Sequence, residues 1–85
     1  MSRYRVEIAS RVAKELADLP KGVRLRIAMA IDALADDPRP PGAKKLTGHD
    51  AYRVRVGDYR ILYEIADNVL VVLVVKVRHR KDVYR

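Results

Sequence analysis

The sequence has 85 residues, a formal net charge of +7 at pH 7 and no cysteine. A chain of this length is near the lower size limit of domains that fold without disulfides or bound metal ions. We therefore expect a single domain over residues 1–85. The lack of cysteine excludes a disulfide framework and a thiolate zinc site. The longest apolar run, Val69 to Val75, is too short to cross a bilayer, and no apolar leader follows the N-terminus. These features predict a cytoplasmic protein with no membrane partner.

The positive charge favours a polyanion as partner. A basic field attracts nucleic acid, and each neutralised phosphate adds salt-dependent affinity through counterion release. Arginine predominates over lysine in the C-terminal half, and the guanidinium fork matches phosphate geometry better than an ammonium does. The alternative interpretation is a surface whose charge serves solubility.

The first half of the chain predicts one strand and two helices. Residues Arg3–Ile8 alternate in polarity and predict a strand, and Ser10 is a candidate N-cap for the helix that follows. Pro20 to Gly22 separate this helix from a second one. The first helix is expected to bury Val12, Ala13, Leu16 and Leu19, and the second Leu25, Ile27, Ala28, Ile31, Leu34 and Ala35. Three prolines and a glycine between residues 36 and 42 predict an extended loop.

The second half predicts sheet. Residues Tyr52–Val56 and Tyr59–Ile65 flank Gly57-Asp58, a two-residue hairpin turn signal. Residues Val69–Val77 are almost all apolar, which is typical of a strand covered on both faces, and His79 to Arg85 form a polar tail. The sequence therefore predicts an α+β fold of order β-α-α-β-β-β, in which a helix hairpin packs on one face of a mostly antiparallel four-stranded sheet.

The predicted hairpin register gathers arginines on one sheet face. A two-residue turn places Arg55 opposite Arg60 and Arg53 opposite Leu62, because side chains alternate across a sheet. The partner face carries the apolar residues Tyr52, Val54, Val56, Tyr59, Ile61, Tyr63 and Ile65. Alternate basic residues at the end of the last strand, Lys76, Arg78 and Arg80, extend the arginine face. Like charges in opposite positions destabilise a sheet, so this face suits an anionic ligand, although a solvated surface is the alternative.

Few other kinds of chemistry are open to these residues. There is no glycine-rich phosphate loop, and only His49 and His79 could contribute imidazole, without clustered acids beside them, so we expect no metal and no cofactor. Cleavage of RNA requires none of these parts, because the 2′-hydroxyl is an internal nucleophile and arginines stabilise the charge that develops on phosphorus. His79 and Tyr84 are the nearby candidates for proton transfer or base stacking.

Two segments resemble the signatures of the RelE/ParE toxin superfamily. Residues Tyr52–Tyr63 resemble its central signature and Val77–Tyr84 its C-terminal one, while Lys45-Leu46-Thr47-Gly48 is similar to the short motif before the hairpin. The resemblance spans nearly the whole chain. It implies the RelE-like microbial ribonuclease fold and, in the RelE branch, a toxin that cleaves messenger RNA in the ribosomal A site and is silenced by an acidic, RelB-like antitoxin.

The resemblance also implies roles for individual residues. Arg60 and Arg78 would hold the scissile phosphate, and Tyr84 would stack on the substrate base or move a proton. The basic residues assigned to RNA and ribosome contact are Arg53, Arg55, Lys44, Lys45, Lys76, Arg80 and Lys81. Relatives carry lysines at the positions of Arg53 and Arg55. Arginine is not deprotonated in proteins, so the general base here would be His79 or Tyr84.

Three functions therefore fit the sequence. The first is a ribosome-dependent endoribonuclease with the ribosome and mRNA as partners. The second is a ParE-like toxin of the same fold that inhibits DNA gyrase without cleaving RNA. The third is a non-toxic nucleic-acid-binding member. The combination of Arg60, Arg78 and Tyr84 favours the first, because the ParE branch tends not to keep all three.

Overall fold

The computed structural model describes residues 3–46 and 50–83, and the side chains of this part up to Lys81. Its elements follow the chain in this order: β1 (Arg5–Ile8), α1 (Ser10–Ala17), α2 (Lys21–Ala33), β2 (Lys44–Lys45), β3 (Ala51–Val56), β4 (Tyr59–Ala66), β5 (Val71–His79) and α3 (Arg80–Val83). None of the helices in the described part of the chain has the length and apolar character that crossing a membrane requires.

The strands form one five-stranded sheet in the order β1-β5-β4-β3-β2. β1 runs parallel to β5, and the other neighbours are antiparallel. The α+β class and the order of the six predicted elements are confirmed. The predicted count of four strands is wrong, because Lys44 and Lys45 pair with Arg53 and Tyr52 and add a short edge strand. Within the predicted polar tail, Arg80–Val83 form a short helix.

The core lies between the two long helices and one side of the sheet. Val12, Ile27, Ile31 and Leu34 pack against Ile61, Tyr63, Ile65, Val72, Val74 and Val77, and all ten are buried. We call this the helix-facing side of the sheet and the opposite one the open side. Leu25 was expected in the core but is 52% exposed, because two residues along a helix rotate a side chain about 200° away from the stripe that holds Ile27.

The first turn of α1 departs from the prediction. The N-cap is Ala9 rather than Ser10, and no side chain caps the helix. The N–H of Ala9 still donates to the carbonyl of Val74 in the sheet, while its carbonyl already accepts from Val12 and Ala13 in the helix. The chain therefore passes from strand to helix at a single residue, one position before the serine.

The β3–β4 hairpin has the predicted register. Val56 pairs with Tyr59, Arg55 with Arg60 and Arg53 with Leu62. The turn is left-handed at Gly57, where φ is +58°, a conformation that glycine adopts without a steric penalty. The seven apolar residues predicted for the partner face all pack in or against the core. The hairpin thus directs its arginines to the open side.

β5 contains an irregularity that the sequence pattern did not predict. Leu62 pairs with Lys76 but the next residue, Tyr63, pairs with Val74, so Val75 is an extra residue in the strand. Such a bulge reverses the alternation of side chains. Val72 and Val74 face the helices before it, whereas Val77 does so after it. The bulge consequently moves Lys76 and Arg78 to the open side.

The expectation that β5 is covered on both faces is wrong. Val71 and Leu73 are only half-buried and line an open groove of about 390 Å³ together with Glu7 and Glu64. The strand also begins two residues later than predicted and ends at His79, because Val69 and Leu70 belong to the preceding turn. Both helices cover the other side of the sheet, which leaves this one open.

Candidate functional site

Two rows of cations cross the open side of the sheet. The first row joins Arg55 on β3, Arg60 on β4 and Arg78 on β5, which are direct neighbours in the pairing. The second row crosses four strands and contains three cations, Lys44, Arg53 and Lys76, with Leu62 between the last two. Directly paired residues share a sheet face, so we define the basic face by its six cations: Lys44, Arg53, Arg55, Arg60, Lys76 and Arg78.

Two clefts open on the basic face. The smaller, of about 60 Å³, is lined by Arg55, Arg60 and Arg80 with the turn residues Gly57 and Asp58. The larger, of about 250 Å³, is lined by Gly42, Lys44, Arg53 and Arg55. Arg55 lines both clefts, so they adjoin. Arg80 was expected to extend the arginine face as part of the last strand; it lines the smaller cleft, but from the first turn of α3.

The basic face concentrates positive charge on neighbouring strands. The described side-chain ion pairs are Arg5 with Glu7, Arg39 with Asp67, and Arg80 with Asp58 at 3.9 Å, and none of these three includes Arg53, Arg55 or Arg78. Opposed like charges destabilise a sheet by up to about 1 kcal/mol for each pair. Arg55 and Arg78 are exposed, whereas Arg53, Arg60 and Lys76 are half-buried, so some charge also lies where water screens it less.

One further cation at this end was missed by the sequence reasoning. The guanidinium of Arg26, on α2, lies over the β3–β4 turn, and a Cβ added to Gly57 would stand 3.3 Å from its Nη2 atom. The glycine therefore serves both the left-handed turn and the close approach of the arginine. No local signal could have revealed the contact, because the two residues are 31 positions apart in the sequence.

The structure does not bring every predicted site residue to the basic face. Lys45 pairs with Tyr52 and His79 with Tyr59, so both belong to the helix-facing side. Lys81 is exposed on α3. Tyr84 lies outside the described residues, as does the segment Thr47–His49, which includes part of the motif before the hairpin.

The His79 side chain has two contacts. Its ring stands edge-on to the ring of Tyr59, with 4.9 Å between the centroids and 89° between the planes. Its Nδ1 atom accepts a hydrogen bond from the backbone N–H of Lys81 at 3.1 Å. The imidazole is therefore engaged with the start of α3, on the side of the sheet away from Arg60 and Arg78.

Among the described residues, no three histidine, cysteine, aspartate or glutamate side chains lie close enough to one another to bind a metal ion. What the basic face offers is a set of guanidinium and ammonium donors on a rigid sheet. Such a set can bind a phosphodiester and stabilise additional negative charge on it.

Comparison with known proteins gives the chain its family. The sequence model of the ParE toxin of the type II toxin–antitoxin system parDE matches residues 6–84. A putative toxin RelE1 of Methanocaldococcus jannaschii is 32% identical over 98% of this chain and 97% of its own length. Toxin RelG of Mycobacterium tuberculosis is 30% identical over 96% of this chain and 97% of its own.

Solved structures give the same result. The archaeal RelE–RelB complex from Pyrococcus horikoshii contains a chain that superposes with a TM-score of 0.81 at 34% identity, covering 92% of this chain and 96% of that one. The isolated RelE toxin of Escherichia coli superposes with a TM-score of 0.80 at 27% identity, covering 95% and 90%. The family match, the relatives and the shared fold together show that this chain belongs to the RelE/ParE superfamily and is the toxin of a type II toxin–antitoxin system.

Proposed function

We propose that this toxin is a ribosome-dependent endoribonuclease that cleaves messenger RNA in the ribosomal A site. The observation that carries the proposal is the cleft of about 60 Å³ in which Arg55, Arg60 and Arg80 converge at the β3–β4 turn. Three arginines line this cleft together with one acidic residue, Asp58. They form a site for a phosphate group, since guanidinium groups donate charge-assisted hydrogen bonds to phosphate oxygens. The RelE-named relatives support the same branch of the superfamily.

The proposed reaction uses the RNA's own nucleophile. The 2′-hydroxyl oxygen attacks the adjacent phosphorus, its proton passes to a base, and the 5′-oxygen of the next nucleotide leaves with a proton. The products are a 2′,3′-cyclic phosphate and a 5′-hydroxyl. In this scheme Arg60, which lines the cleft, and Arg78, its direct neighbour on β5, stabilise the charge that grows on the phosphorane oxygens. Arg53 and Arg55 add electrostatic stabilisation and RNA contact, because neither can give up its proton to act as a base.

The remaining cations are proposed to hold the ribosome and the message. Lys44 and Lys76 lie at the two ends of the row through Arg53 and extend the face beyond the cleft. Lys45 and Lys81 are exposed near its edges and would meet ribosomal RNA. Tyr84, at the end of the C-terminal signature, is proposed to stack on the substrate base or to transfer a proton. The toxin would act in the cytoplasm, where translating ribosomes are found.

Alignment by the ribosome is part of the proposal. Holding the 2′-hydroxyl in line with the leaving oxygen supplies a large share of any rate enhancement, and the open sheet offers little to enclose an RNA strand. Cleavage should therefore need a translating ribosome. Efficient cutting of naked RNA by the purified toxin would show that the protein aligns its substrate without help.

The second candidate function is inhibition of DNA gyrase without RNA cleavage. The match to the ParE family model favours it. In that case the basic face would bind gyrase or its DNA, and no phosphodiester bond would be broken. The remaining alternative, a non-toxic nucleic-acid-binding protein, predicts neither activity.

One experiment separates these functions. The toxin is added to a translating extract, where mRNA cleavage is mapped by primer extension, and to a gyrase supercoiling assay. We expect cleavage within translated codons and undisturbed supercoiling. Arg11→Ala removes one exposed positive charge on α1, away from the basic face. It controls for the loss of charge alone and should cleave like the wild type. Inhibited supercoiling with intact mRNA would establish the gyrase alternative.

The silencing partner is proposed to be an acidic, RelB-like antitoxin. The Pyrococcus horikoshii relative was solved as a RelE–RelB complex. A net charge of +7 and an open basic face suit a segment rich in glutamate and aspartate, with apolar anchors that set the residence time. A disordered segment that wraps the toxin would bury upwards of about 2,000 Å².

A further inference from the structure

We propose that His79 is a positioning residue, which fixes the start of α3 and thereby Arg80 beside the cleft, and is not the general base of cleavage. The proposal rests on the proposed ribonuclease function. It deepens that function by removing one of the two candidates for proton transfer and by giving the histidine a different task.

The hydrogen bond of His79 determines which ring nitrogen holds the proton. Nδ1 accepts from the Lys81 N–H at 3.1 Å, so it carries no proton in this arrangement. A neutral imidazole has one protonated nitrogen, which here is Nε2. Neither nitrogen can then take a proton from a 2′-hydroxyl while the contact lasts: Nδ1 is occupied, and Nε2 is already protonated.

The position of the ring in the sheet leads to the same conclusion. His79 pairs with Tyr59, on the helix-facing side, whereas Arg60 and Arg78 pair on the open side. A general base must come within hydrogen-bond reach of the proton that it abstracts. A phosphate bound between Arg60 and Arg78 would be separated from the imidazole by the sheet itself.

His79 is instead suited to hold the chain as it leaves β5. The N–H of Arg80 donates to the carbonyl of Asp58 at 2.7 Å, and the N–H of the next residue donates to His79. Two consecutive amides are thereby fixed, one to the β3–β4 turn and one to the histidine ring. The edge-on contact with Tyr59 sets the orientation of that ring.

The consequence for the site concerns the Arg80 side chain. Arg80 lines the small cleft with Arg55 and Arg60, and its direction depends on how α3 begins. Loss of the anchor should weaken alignment of the substrate without removing any group that exchanges a proton with it.

Substitution of His79 by alanine and by asparagine distinguishes the two roles. Asparagine is a strong N-cap residue whose side-chain oxygen can accept from the Lys81 N–H, but it cannot serve as a base near neutral pH. We expect His79→Ala to lower single-turnover cleavage on the ribosome by about tenfold, the scale of one lost cap, and His79→Asn to stay within about threefold of the wild type. The dependence of the rate on pH should keep its shape in both variants.

The opposite result would identify a general base. If His79→Asn were as impaired as His79→Ala, by roughly 10²-fold or more, and the acidic limb of the pH profile disappeared in both, the positioning role would be wrong. This comparison of the two variants is needed because alanine alone reduces the rate under either hypothesis.

A second measurement does not depend on activity. Nitrogen-15 NMR of the imidazole in the free toxin, recorded at mildly alkaline pH, should show a protonated Nε2 and an unprotonated Nδ1. The Lys81 amide should exchange with solvent more slowly in the wild type and in His79→Asn than in His79→Ala. A protonated Nδ1, or equal exchange in all three proteins, would overturn the proposal. Failure of the wild type to cleave mRNA would refute the ribonuclease function while leaving this structural test valid.

Discussion

The two ends of the sheet use arginine in opposite ways. At the end near the β4–β5 turn, Arg39 donates to both carboxylate oxygens of Asp67, at 3.2 and 2.8 Å, and to the hydroxyl of Tyr52 at 2.9 Å. The hydroxyl of Tyr4 donates to the same carboxylate at 2.6 Å. At the β3–β4 turn, Arg55 faces Arg60, and Arg60 faces Arg78.

This difference separates residues that stabilise the fold from residues that are available to a ligand. At the β4–β5 end, Arg39 ties the loop after α2 to Asp67 in the β4–β5 turn. Tyr4 ties the N-terminal segment to the same carboxylate. The basic face does the reverse, since it concentrates like charges and lowers the stability of the free protein. Destabilising arrangements of this kind are typical of functional sites, and substitutions at the two ends of the sheet test that distinction.

The largest expected effect is on cleavage. Arg60→Ala or Arg78→Ala should lower single-turnover cleavage by roughly 10²–10³-fold, the scale of one lost donor to a developing oxyanion. Neither variant should unfold, because Arg78 is exposed and Arg60 half-buried on the open side. Ribosome-programmed cleavage, with thermal unfolding measured on the same samples, checks both statements.

Arg39→Ala is the matched control for these variants, since it also removes one guanidinium. It should lower the unfolding temperature and leave the cleavage rate of the folded protein unchanged. Full toxicity of either Arg60→Ala or Arg78→Ala at equal expression would contradict the assignment of the basic face.

The sequence predicted that Lys76 and Arg78 join the hairpin arginines on one face, but only the hairpin half of that prediction follows from a register that the sequence determines. The Gly57-Asp58 turn signal and strict alternation determined the hairpin, so the opposition of Arg55 and Arg60 follows from the sequence alone. The position of Arg78 beside Arg60 depends on the bulge at Val75. Simple alternation from Val72 and Val74 would have turned Lys76 and Arg78 into the core. No sequence pattern marks that bulge, because Val75 resembles its neighbours.

Other differences arise from contacts between distant residues. Lys44 joins the site only because β2 forms, and two consecutive lysines carry no strand signal. His79 appeared to share the site with Arg78 because the two are adjacent in sequence, yet adjacent strand residues point to opposite faces. The pairing of Arg39 with Asp67 spans 28 positions and could not be read from either segment alone.

The second prediction concerns Tyr63, which is buried at the end of the sheet near the β4–β5 turn. Its ring is fully buried and stacks on Tyr52, and its hydroxyl donates to the carbonyl of Pro38 at 2.7 Å. Tyr63→Phe leaves that carbonyl without its donor, so the free energy of unfolding should fall by about 1–3 kcal/mol. Urea unfolding measures the change. An unaltered midpoint would show that the bond contributes nothing to the folded state.

Alkaline pH offers an independent test of Tyr63. Burial raises the pKa of its hydroxyl from the ordinary value of 10 to about 12. A raised pKa in the folded state means that the corresponding stability is complete below pH 10 and is lost as the pH rises toward 12. The free energy of unfolding should therefore fall less steeply with pH for Tyr63→Phe than for the wild type between pH 10 and pH 12. Parallel curves for the two proteins would contradict the burial argument.

The third prediction concerns association with the antitoxin. If an acidic antitoxin covers the basic face, its association rate should fall by about tenfold or more between low and moderately high salt, because salt screens the attraction that steers encounter. Dissociation should change little, since buried anchors set residence time. Arg55→Ala should reduce the salt dependence, whereas Arg39→Ala should not. A salt-insensitive association rate would place silencing on another surface.

The smallest expected effect comes from acid. The Arg39 guanidinium, followed by the Tyr4 hydroxyl, holds the pKa of the Asp67 carboxyl at about 2 through hydrogen bonds to its charged form. A depressed pKa in the folded state stabilises the protein above the ordinary value near 4, and this stability is lost as the pH falls toward 2. Asp67→Asn should therefore be less stable than the wild type at neutral pH, with a difference that narrows between about pH 5 and pH 2. The effect should be modest, because the Arg39 and Asp67 side chains are 40% and 51% exposed and solvent screens such pairs.

A double mutant tests whether this pair accounts for the effect. Arg39→Ala should lower the free energy of unfolding less in the Asp67→Asn background than in the wild type. Additive effects of the two substitutions would show that the two side chains act independently.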